Sequence, residues 1–335
     1  MTYGDAGIDL AAGEQVVERI RAAVASTKRI EVLGDLGGFA GLYTPSVGDP
    51  VLAAGCDGVG TKVLLGRAAG RLHGLGIDLV AMSVNDVLTA GGRPAFFLDL
   101  ITCGKLVPDT IVELVEGVAE GCRQAGCALL GGETAEHPDM MAADDFDLAG
   151  FCVAVGERRD LIAGALIEEG DAIIGFPSSG PHSNGYSLIR RLLEKAQISL
   201  DATPPELGGQ TVADALLEPT RIYAQAVRAL IGTTDVRGMA HITGGGIAGN
   251  LARPLSGRLA AEVDLGSWER PAVFEWLASL GVDEDEMRRV FNLGLGYAAF
   301  IPQDAIELAL RTLERAGEKA WVAGRVVAGE GVRFQ

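Results

Sequence analysis

The sequence predicts a mixed α/β (α+β) protein of two domains. A length of 335 residues is enough for two separate cores. Short apolar runs typical of buried strands alternate with amphipathic stretches typical of helices. The charged stretch 156–171 interrupts two apolar runs, which predicts domains over residues 1–165 and 166–335.

The composition narrows the function classes. The 47 glycines are about twice the usual share while apolar residues stay plentiful, which indicates loops in a folded protein. A net charge of -17 without a basic stripe repels polyanions, so we expect no nucleic-acid partner. No signal-peptide pattern opens the chain and no apolar run reaches membrane-spanning length, so we expect a cytoplasmic protein with no membrane partner.

The cysteines and histidines show no metal-binding spacing. The 5 cysteines form no C-x-x-C pair and lie in apolar contexts, so we expect reduced core residues. The 4 histidines make no zinc spacing.

The chain begins with a turn-rich arm over residues 2–10, and an amphipathic helix follows it. Next comes a glycine-rich segment over residues 33–42 with neither a helical nor a strand period. Such a segment is either a slack surface loop or a lid that closes on a ligand. Taken alone, it favours the loop, because glycine-rich stretches arise easily.

The stretch 51–100 carries the strongest functional signal. Residues 51–56 predict a buried strand, and the loop after it contains a carboxylate, glycines, a threonine and a lysine. A loop of this composition at a strand end is suited to phosphate. Its candidate binding residues are Asp57, Gly58, Gly60, Thr61 and Lys62.

The next segment, residues 76–88, is apolar on nearly every side, which predicts a helix buried all round. It nevertheless carries Asp78 and Asp86, which lie along one stripe of that helix. A carboxylate in such surroundings must be paired, hydrogen-bonded or bound to a cation. With Asp57 arriving from the strand, Asp86 predicts a Mg²⁺ site, because this cation prefers hard oxygen ligands.

A structural alternative exists for each of these carboxylates. Asp57 also fits a turn residue and Asp86 an exposed helix residue. For Asp78 the structural interpretation is the better one, because a carboxylate in the first turn of a helix offsets the helix dipole.

The rest of the first domain alternates strands with one helix. We expect strands over residues 95–101, 127–131 and 146–155, and a helix that Pro108 opens and Gly126 caps. Glu133 follows the second of these strands, which makes it a third candidate metal ligand.

The second domain begins with a strand over residues 172–176 that leads into a Ser-, Gly- and Asn-rich loop, residues 178–185. The helix after this loop has N-terminal N–H groups available to an anion. Alternatively Ser183 or Asn184 caps the helix and His182 is exposed, and capping is compatible with anion binding. The anion-binding candidates are Ser179, Gly180, Ser183 and Asn184.

A second glycine-rich helix entry lies at residues 241–250. Gly244, Gly245 and Gly246 allow the backbone to approach a ligand closely, or they form a bend between packed elements. A strand over 291–301, a helix over 304–316 and a closing strand over 321–327 complete the predicted domain.

The motifs of the chain, in their order and spacing, resemble one enzyme family. They are YGDAGIDLAAG, DGVGTK, GIDLVAMSVND, FFLDL, GGETAE, DLAGF, SSGPHSNGYSL, PTRIY, HITGGG and FNLGLG. Together they resemble the phosphoribosylformylglycinamidine cyclo-ligases, also called aminoimidazole ribonucleotide synthetases. Several motifs are shared with a wider superfamily, whereas the first motif and SSGPHSNGYSL look specific to the cyclo-ligases.

The resemblance implies an architecture and a reaction. The N-terminal halves of two copies would pair into a dimeric β-barrel with outer helices, and the C-terminal half would be a layered α/β domain with a ferredoxin-like element. ATP and Mg²⁺ would be cofactors, K⁺ an open candidate, and formylglycinamidine ribonucleotide the substrate of a homodimer. The formyl amide oxygen would be phosphorylated, an amidine nitrogen would attack that carbon, and phosphate would leave as the imidazole ring closes.

The resemblance also carries over residue roles. It assigns Asp57 and Asp86 to the metal and nucleotide region, and Lys62 and His182 to catalysis in the phosphate region and the 178–185 loop. The roles of Glu133 and Asp5 stay open. The nucleotide-binding loops are also compatible with a non-catalytic sensor that binds ATP, or with another ATP-dependent phosphorylation of the same superfamily.

The chain departs from the family pattern at three positions. Asp35, Ala40 and Asp139 stand where the cyclo-ligases usually have glycine. The first two would stiffen the supposed lid, and the third puts its loop conformation in question if the backbone there is left-handed.

Overall fold

The computed structural model describes residues 10–33 and 41–335, which form two compact units. Among the described residues, the first unit extends to Val87 and then covers Gly92–Arg158, and the second covers Leu88–Gly91 and Arg159–Gln335. The change of unit at Arg158 lies within the charged stretch 156–171. The predicted arm residue Asp5 and the supposed lid residues Asp35 and Ala40 lie outside the described residues.

The described part of the first unit combines a four-stranded sheet and a two-stranded sheet with four helices. Its elements are α1 (Leu10–Ala25), β1 (Val32–Leu33), β2 (Leu42–Tyr43), β3 (Pro50–Gly58), α2 (Lys62–Ala68), α3 (His73–Leu88), β4 (Arg93–Cys103), α4 (Pro108–Ala125), β5 (Ala128–Glu136) and β6 (Phe146–Glu157). The predicted strands and the all-round buried helix α3 are confirmed. Gly126 ends α4 in a left-handed conformation with φ 71°, as predicted.

The main sheet of the first unit has the strand order β3-β6-β4-β5. Strand β6 is antiparallel to both neighbours, and β4 is parallel to β5. The face toward the helices is buried, whereas the opposite face leaves Leu52 61% and Phe151 43% exposed. Cys56 alternates onto that outer face and is exposed, so the expectation that every cysteine is a core residue is wrong for this one.

Helices α3 and α4 pack closely because glycines face each other. A Cβ on Gly76 of α3 would lie 2.2 Å from the carbonyl oxygen of Leu114 in α4. No other residue fits this crossing without moving the helix backbone. The close packing fixes α3, the helix that carries Asp78 and Asp86, over the sheet.

The second unit contains a larger sheet and more short helices. Its elements are β7 (Ala172–Pro177), α5 (Tyr186–Ala196), α6 (Val212–Leu217), α7 (Ala224–Ile231), β8 (Gly238–His241), α8 (Gly246–Leu251), β9 (Leu259–Val263), α9 (Ala272–Ser279), α10 (Glu284–Val290), β10 (Leu295–Ile301), α11 (Ile306–Arg315), β11 (Trp321–Ala328) and β12 (Gly331–Phe334).

The sheet of the second unit has the order β12-β9-β11-β7-β10-β8. All neighbours are antiparallel except β12 and β9, which are parallel. The expectation that the strand over 321–327 closes the sheet is wrong, because β11 lies inside it and β12 forms the edge. Strands β7 and β10 are adjacent, which brings the loop after β7 next to the turn before β10.

Both units therefore mix helices with sheets, as the predicted α/β class requires. Among residues 10–33 and 41–335, no helix has the length and apolar character needed to cross a membrane.

Candidate active site

The loop after β3 is shaped by glycine. Gly60 has φ 61°, a left-handed conformation that favours glycine, and a Cβ on Gly58 would lie 3.0 Å from the carbonyl oxygen of Leu148. Asp57 is half-buried, and its Oδ1 accepts a hydrogen bond of 2.7 Å from the N–H of Gly58. Thr61 precedes α2 without a side-chain capping bond. The loop thus holds a carboxylate and backbone groups in a compact turn.

Lys62 forms a buried ion pair with Asp78. The Lys62 Nζ lies 2.7 Å from Asp78 Oδ2 and 2.9 Å from Oδ1, and both side chains are 0% exposed. The interpretation of Asp78 as a first-turn dipole residue is wrong, because α3 begins at His73 and Asp78 lies past its first turn. Sequence reasoning missed this pair, although a lysine and an aspartate in apolar surroundings both need a partner. The predicted contact of Lys62 with phosphate stays a prediction.

Asp86 and Asp57 are brought to the same part of the first unit. Gly55 and Asp57 are two residues apart on β3 and face the same side of the sheet. The Cβ of Asp86, on α3, lies 3.8 Å from where a Cβ on Gly55 would stand. Asp86 is exposed, so its carboxylate remains accessible while the helix backbone contacts the strand.

Glu133 is not brought to these two carboxylates. It lies on β5, at the opposite edge of the sheet from β3. Its neighbour Gly132 faces Asp99 on the helix side, so Glu133 points to the outer face. Within the described part of the chain, no three His, Cys, Asp or Glu side chains are grouped so that they could hold a metal ion. The metal role of Glu133 stays a prediction, separate from the position that Asp57 and Asp86 share.

Asp99 is a buried carboxylate that sequence reasoning did not single out. It pairs across the sheet with Gly150, which in turn pairs with Asp57, so the two aspartates share one row of the sheet. Burial, assisted by the charge of Glu133 and opposed by a backbone hydrogen bond, raises the pKa of Asp99 to about 7. The sequence feature that could have identified Asp99 is its position inside the apolar run FFLDL, which predicts a buried carboxylate. A carboxyl group with this pKa can exchange a proton near neutral pH.

The 178–185 loop of the second unit has an unusual backbone. Gly180 has φ 150°, His182 φ 59° and Gly185 φ 78°. His182 is 1% exposed, and its Nε2 accepts a hydrogen bond of 3.1 Å from the N–H of Ser179. The alternative in which His182 is exposed is therefore wrong. Because Nε2 accepts, it carries no proton in this arrangement.

Hydrogen bonds to the segment 219–220 hold the 178–185 loop in place. The Ser179 Oγ donates to the carbonyl oxygen of Pro219 at 2.6 Å, and the Ser183 Oγ lies 3.3 Å from the Thr220 Oγ1. Helix α5 starts after Gly185 without a side-chain cap, so the capping alternative for Ser183 and Asn184 does not apply. The PTRIY motif at 219–223 thus supports the loop.

Asn184 points toward the second glycine-rich loop. A Cβ on Gly244 would lie 3.3 Å from the Asn184 Oδ1. The Asn184 Nδ2 is a buried atom without a hydrogen-bond partner among the described residues. A buried amide N–H without a partner is costly, which makes it suited to a ligand oxygen.

Glycine is required at the entry into α8. Gly245 has φ 98° and Gly246 φ 63°, and a Cβ on Gly246 would lie 2.0 Å from the carbonyl oxygen of Arg288. The Nδ2 of buried Asn250 donates to the carbonyl oxygens of Gly246 at 2.8 Å and Thr243 at 3.1 Å. The structure therefore brings the predicted Ser179–Asn184 and Gly244–Gly246 candidates into adjacent loops of one unit.

The backbone conformation of Asp139, which stands where the cyclo-ligases usually have glycine, is left-handed. Asp139 has φ 68°, the left-handed conformation in which glycine is favoured. Aspartate tolerates this conformation better than most residues, because its short polar side chain bonds locally.

Comparison with known proteins identifies the family. Residues 39–156 match the AIR synthase related protein, N-terminal domain, and residues 168–335 match the AIR synthase related protein, C-terminal domain. A phosphoribosylformylglycinamidine cyclo-ligase of Synechococcus sp. (strain RCC307) is 52% identical over 99% of this chain and 98% of that protein. The cyclo-ligase of Sorangium cellulosum (strain So ce56) is 52% identical over 100% of this chain and 98% of that protein.

Solved structures share the fold at much lower identity. Thiamine-monophosphate kinase from Stenotrophomonas maltophilia K279a superposes with a TM-score of 0.72 at 20% identity, covering 96% of each chain. A structure of the hydrogenase maturation protein HypE in complex with ATP has a TM-score of 0.64 at 18% identity, covering 92% of this chain and 85% of that one. With half of its residues identical to cyclo-ligases over its whole length, the chain belongs to the AIR synthase related family, in its phosphoribosylformylglycinamidine cyclo-ligase branch.

Proposed function

We propose that the chain catalyses the ATP-dependent closure of formylglycinamidine ribonucleotide to 5-aminoimidazole ribonucleotide, with ADP and phosphate as the other products. The observation that carries the proposal is the 52% identity with cyclo-ligases over nearly the full chain. The substrate's formyl amide oxygen accepts the γ-phosphoryl group, an amidine nitrogen attacks the same carbon, and the C–O bond breaks as phosphate leaves.

The first unit supplies the residues proposed for Mg²⁺ and the nucleotide. Asp57 and Asp86 offer carboxylate oxygens at adjoining positions of β3 and α3, and one is half-buried while the other is exposed. Such hard ligands suit Mg²⁺, which when bound neutralises phosphoryl charge. Gly58, Gly60, Thr61 and Lys62 are the proposed nucleotide contacts, and K⁺ stays an open candidate.

The second unit supplies the residues proposed for an anionic group of the reactants. The buried Asn184 Nδ2 provides an N–H donor beside Gly244, and α5 begins without a side-chain cap. Ser179, Gly180 and Ser183 shape this loop, and Gly245 and Gly246 shape the facing one. Because the His182 Nε2 is engaged by Ser179, a role in holding the loop is better supported than direct proton transfer by that nitrogen.

The test of the proposed function is the dependence of ADP release on substrate. With ATP and Mg²⁺ alone, we expect no ADP above background, because the phosphoryl acceptor is the substrate's own amide oxygen. Adding formylglycinamidine ribonucleotide should give one ring product per ADP, measured by coupled ADP detection and product absorbance. ATP binding without ring formation would reject the proposal and favour the sensor.

We also propose that two copies associate through the outer face of the four-stranded sheet. Leu52 and Phe151 are exposed there beside Cys56, on an apolar face that water would otherwise cover. A second copy of the chain is the proposed occupant, because the edges and the face of an open sheet are buried by pairing with another sheet.

Substituting Leu52→Asp is expected to shift the protein from dimer to monomer, because it places charge inside the proposed interface. Light scattering at micromolar concentration measures the mass. Ile30→Asp is the matched control, since Ile30 is 95% exposed and lies outside the sheet. A monomeric wild-type chain, or a Leu52→Asp variant that stays dimeric, would contradict this interface.

A further inference from the structure

We propose that Asn292 is a positioning residue for the reaction, whose buried amide holds the 178–185 loop in the conformation that receives an anion. The proposal builds on the proposed function, since it deepens the anion role given there to this loop. Asn292 lies in the FNLGLG motif, in the turn between α10 and β10.

All polar atoms of the Asn292 amide are engaged in this turn. The side chain is 2% exposed, and its Nδ2 donates to the carbonyl oxygen of Gly180 at 2.9 Å. Its Oδ1 accepts from the Ser178 Oγ at 2.8 Å and from the N–H of Gly294 at 2.9 Å. Donor and acceptor ends have different partners, so only one orientation of the amide satisfies the network.

The bonds connect two segments whose backbones need support. Gly180 has φ 150° and His182 φ 59° on one side, and Leu293 has φ 52° and Gly294 φ 103° on the other. The N–H of Ser178 also donates to the carbonyl oxygen of Gly294 at 2.8 Å. Conformations of this kind persist only where the surroundings hold them. Asn292 therefore determines the direction of the Gly180 carbonyl and the path of the loop.

The variant Asn292→Asp distinguishes a positioning role of Asn292 from a role in packing alone. Asn292→Asp keeps the side-chain shape and both acceptor bonds, but an ionised carboxylate cannot donate to the Gly180 carbonyl oxygen and repels it. Burial and this repulsion raise the pKa of the new carboxyl group, against the lowering effect of the bonds from Ser178 and Gly294. Once protonated, the group donates through O–H, so the bond to Gly180 returns at low pH.

Two titratable groups of the wild-type chain adjoin the same loop. His182 keeps its bond from Ser179 only while Nε2 is unprotonated. Tyr223 donates its hydroxyl to the carbonyl oxygen of Pro177 at 2.8 Å, and burial raises its pKa, so it stays neutral in the pH range used. An ionised carboxylate at position 292 favours protonation of His182 and so weakens the loop further, which opposes the expected recovery. A recovery of Asn292→Asp toward wild-type activity at low pH therefore reports the returned bond to Gly180.

The experiment compares kcat/KM of wild type, Asn292→Asp and Asn292→Ala with formylglycinamidine ribonucleotide and ATP between about pH 6 and about pH 8.5. We expect Asn292→Asp to lose about 10- to 100-fold at the upper pH, because a small misplacement of a binding loop costs this much. The loss should shrink as pH falls for Asn292→Asp alone, while Asn292→Ala should stay low at every pH.

Asp171→Asn is the matched control for a general loss of stability. Asp171 is 3% exposed in the same unit and pairs with Arg237 at 2.9 Å, away from the 178–185 loop. It should lower the melting temperature without the pH-dependent change of kcat/KM. An Asn292→Asp variant with wild-type activity at the upper pH, or with a loss that does not depend on pH, would overturn the proposal.

Two further measurements keep the outcome interpretable. If Asn292→Asp does not fold, Ser178→Ala removes one donor to the Asn292 Oδ1, and a few-fold loss of kcat/KM is expected from this smaller change. If the wild type makes no ring product, the melting shift caused by inorganic phosphate replaces activity as the readout. A phosphate shift lost in Asn292→Asp only at the upper pH would support the positioning role without the proposed reaction. A wild type without a phosphate shift would overturn the role as well.

Discussion

Substituting Lys62→Met is expected to lower the free energy of unfolding by about 3–5 kcal/mol, because it leaves the Asp78 carboxylate buried without its ammonium partner. Both side chains are 0% exposed, so water cannot solvate the remaining charge. Urea unfolding followed by circular dichroism measures the change.

A double variant tests this explanation. Lys62→Met combined with Asp78→Leu removes both charges and replaces them with apolar groups, so most of the lost stability should return. Arg19→Met is the matched control, because Arg19 pairs with Asp109 at 2.7 Å while the two side chains are 38% and 87% exposed. An exposed pair contributes at most about 1 kcal/mol. A Lys62→Met variant as stable as the control would show that the buried pair is not the source.

The same double variant separates two roles of Lys62. If Lys62 contacts a phosphoryl group, the refolded double variant should remain inactive. If Lys62 serves only to hold α2 against α3 through Asp78, activity should return with stability.

Substituting Asp57→Asn is expected to reduce kcat/KM for ATP by about 10²- to 10³-fold, because a metal-bound phosphoryl oxygen is stabilised by several kcal/mol. Asparagine keeps an oxygen that accepts from the N–H of Gly58, so the loop conformation should survive. The melting temperature should change little, and the Mg²⁺ concentration needed for half-maximal activity should rise. Asp86→Asn should act in the same direction.

Glu116→Gln is the control for this substitution. Glu116 is an exposed carboxylate on α4 of the same unit, so the variant makes the same change of charge away from the proposed site. Glu116→Gln should keep the wild-type kcat/KM for ATP and the wild-type Mg²⁺ dependence within error. Unchanged ATP affinity and Mg²⁺ dependence in both aspartate variants would remove them from the metal site.

Local sequence patterns predicted most of the secondary structure. The apolar run at 51–56 lies within β3, the segment at 76–88 lies within α3, and Pro108 and Gly126 bound α4 as expected. Burial periodicity and the special backbone angles of proline and glycine act over a few residues. They can therefore be predicted without tertiary information.

The environment of each candidate residue depended on contacts between distant segments. Asp78 pairs with Lys62, which lies 16 positions earlier in the chain. This contact shows that Asp78 is half of a buried ion pair and not a charge that offsets the helix dipole. The face that Glu133 occupies follows from the register of β5 on β4, and a shift by one residue would reverse it.

The sequence by itself determined the class of the fold, the positions of the glycine-rich loops and the family, because these depend on local composition and on motifs in a fixed order. Only the tertiary structure decided that Asp99 lies in the same row as Asp57, that His182 is buried against Ser179, and that Asn292 holds Gly180. Strand order and register bring these residues together, and they arise from packing of the whole unit rather than from any single stretch of chain.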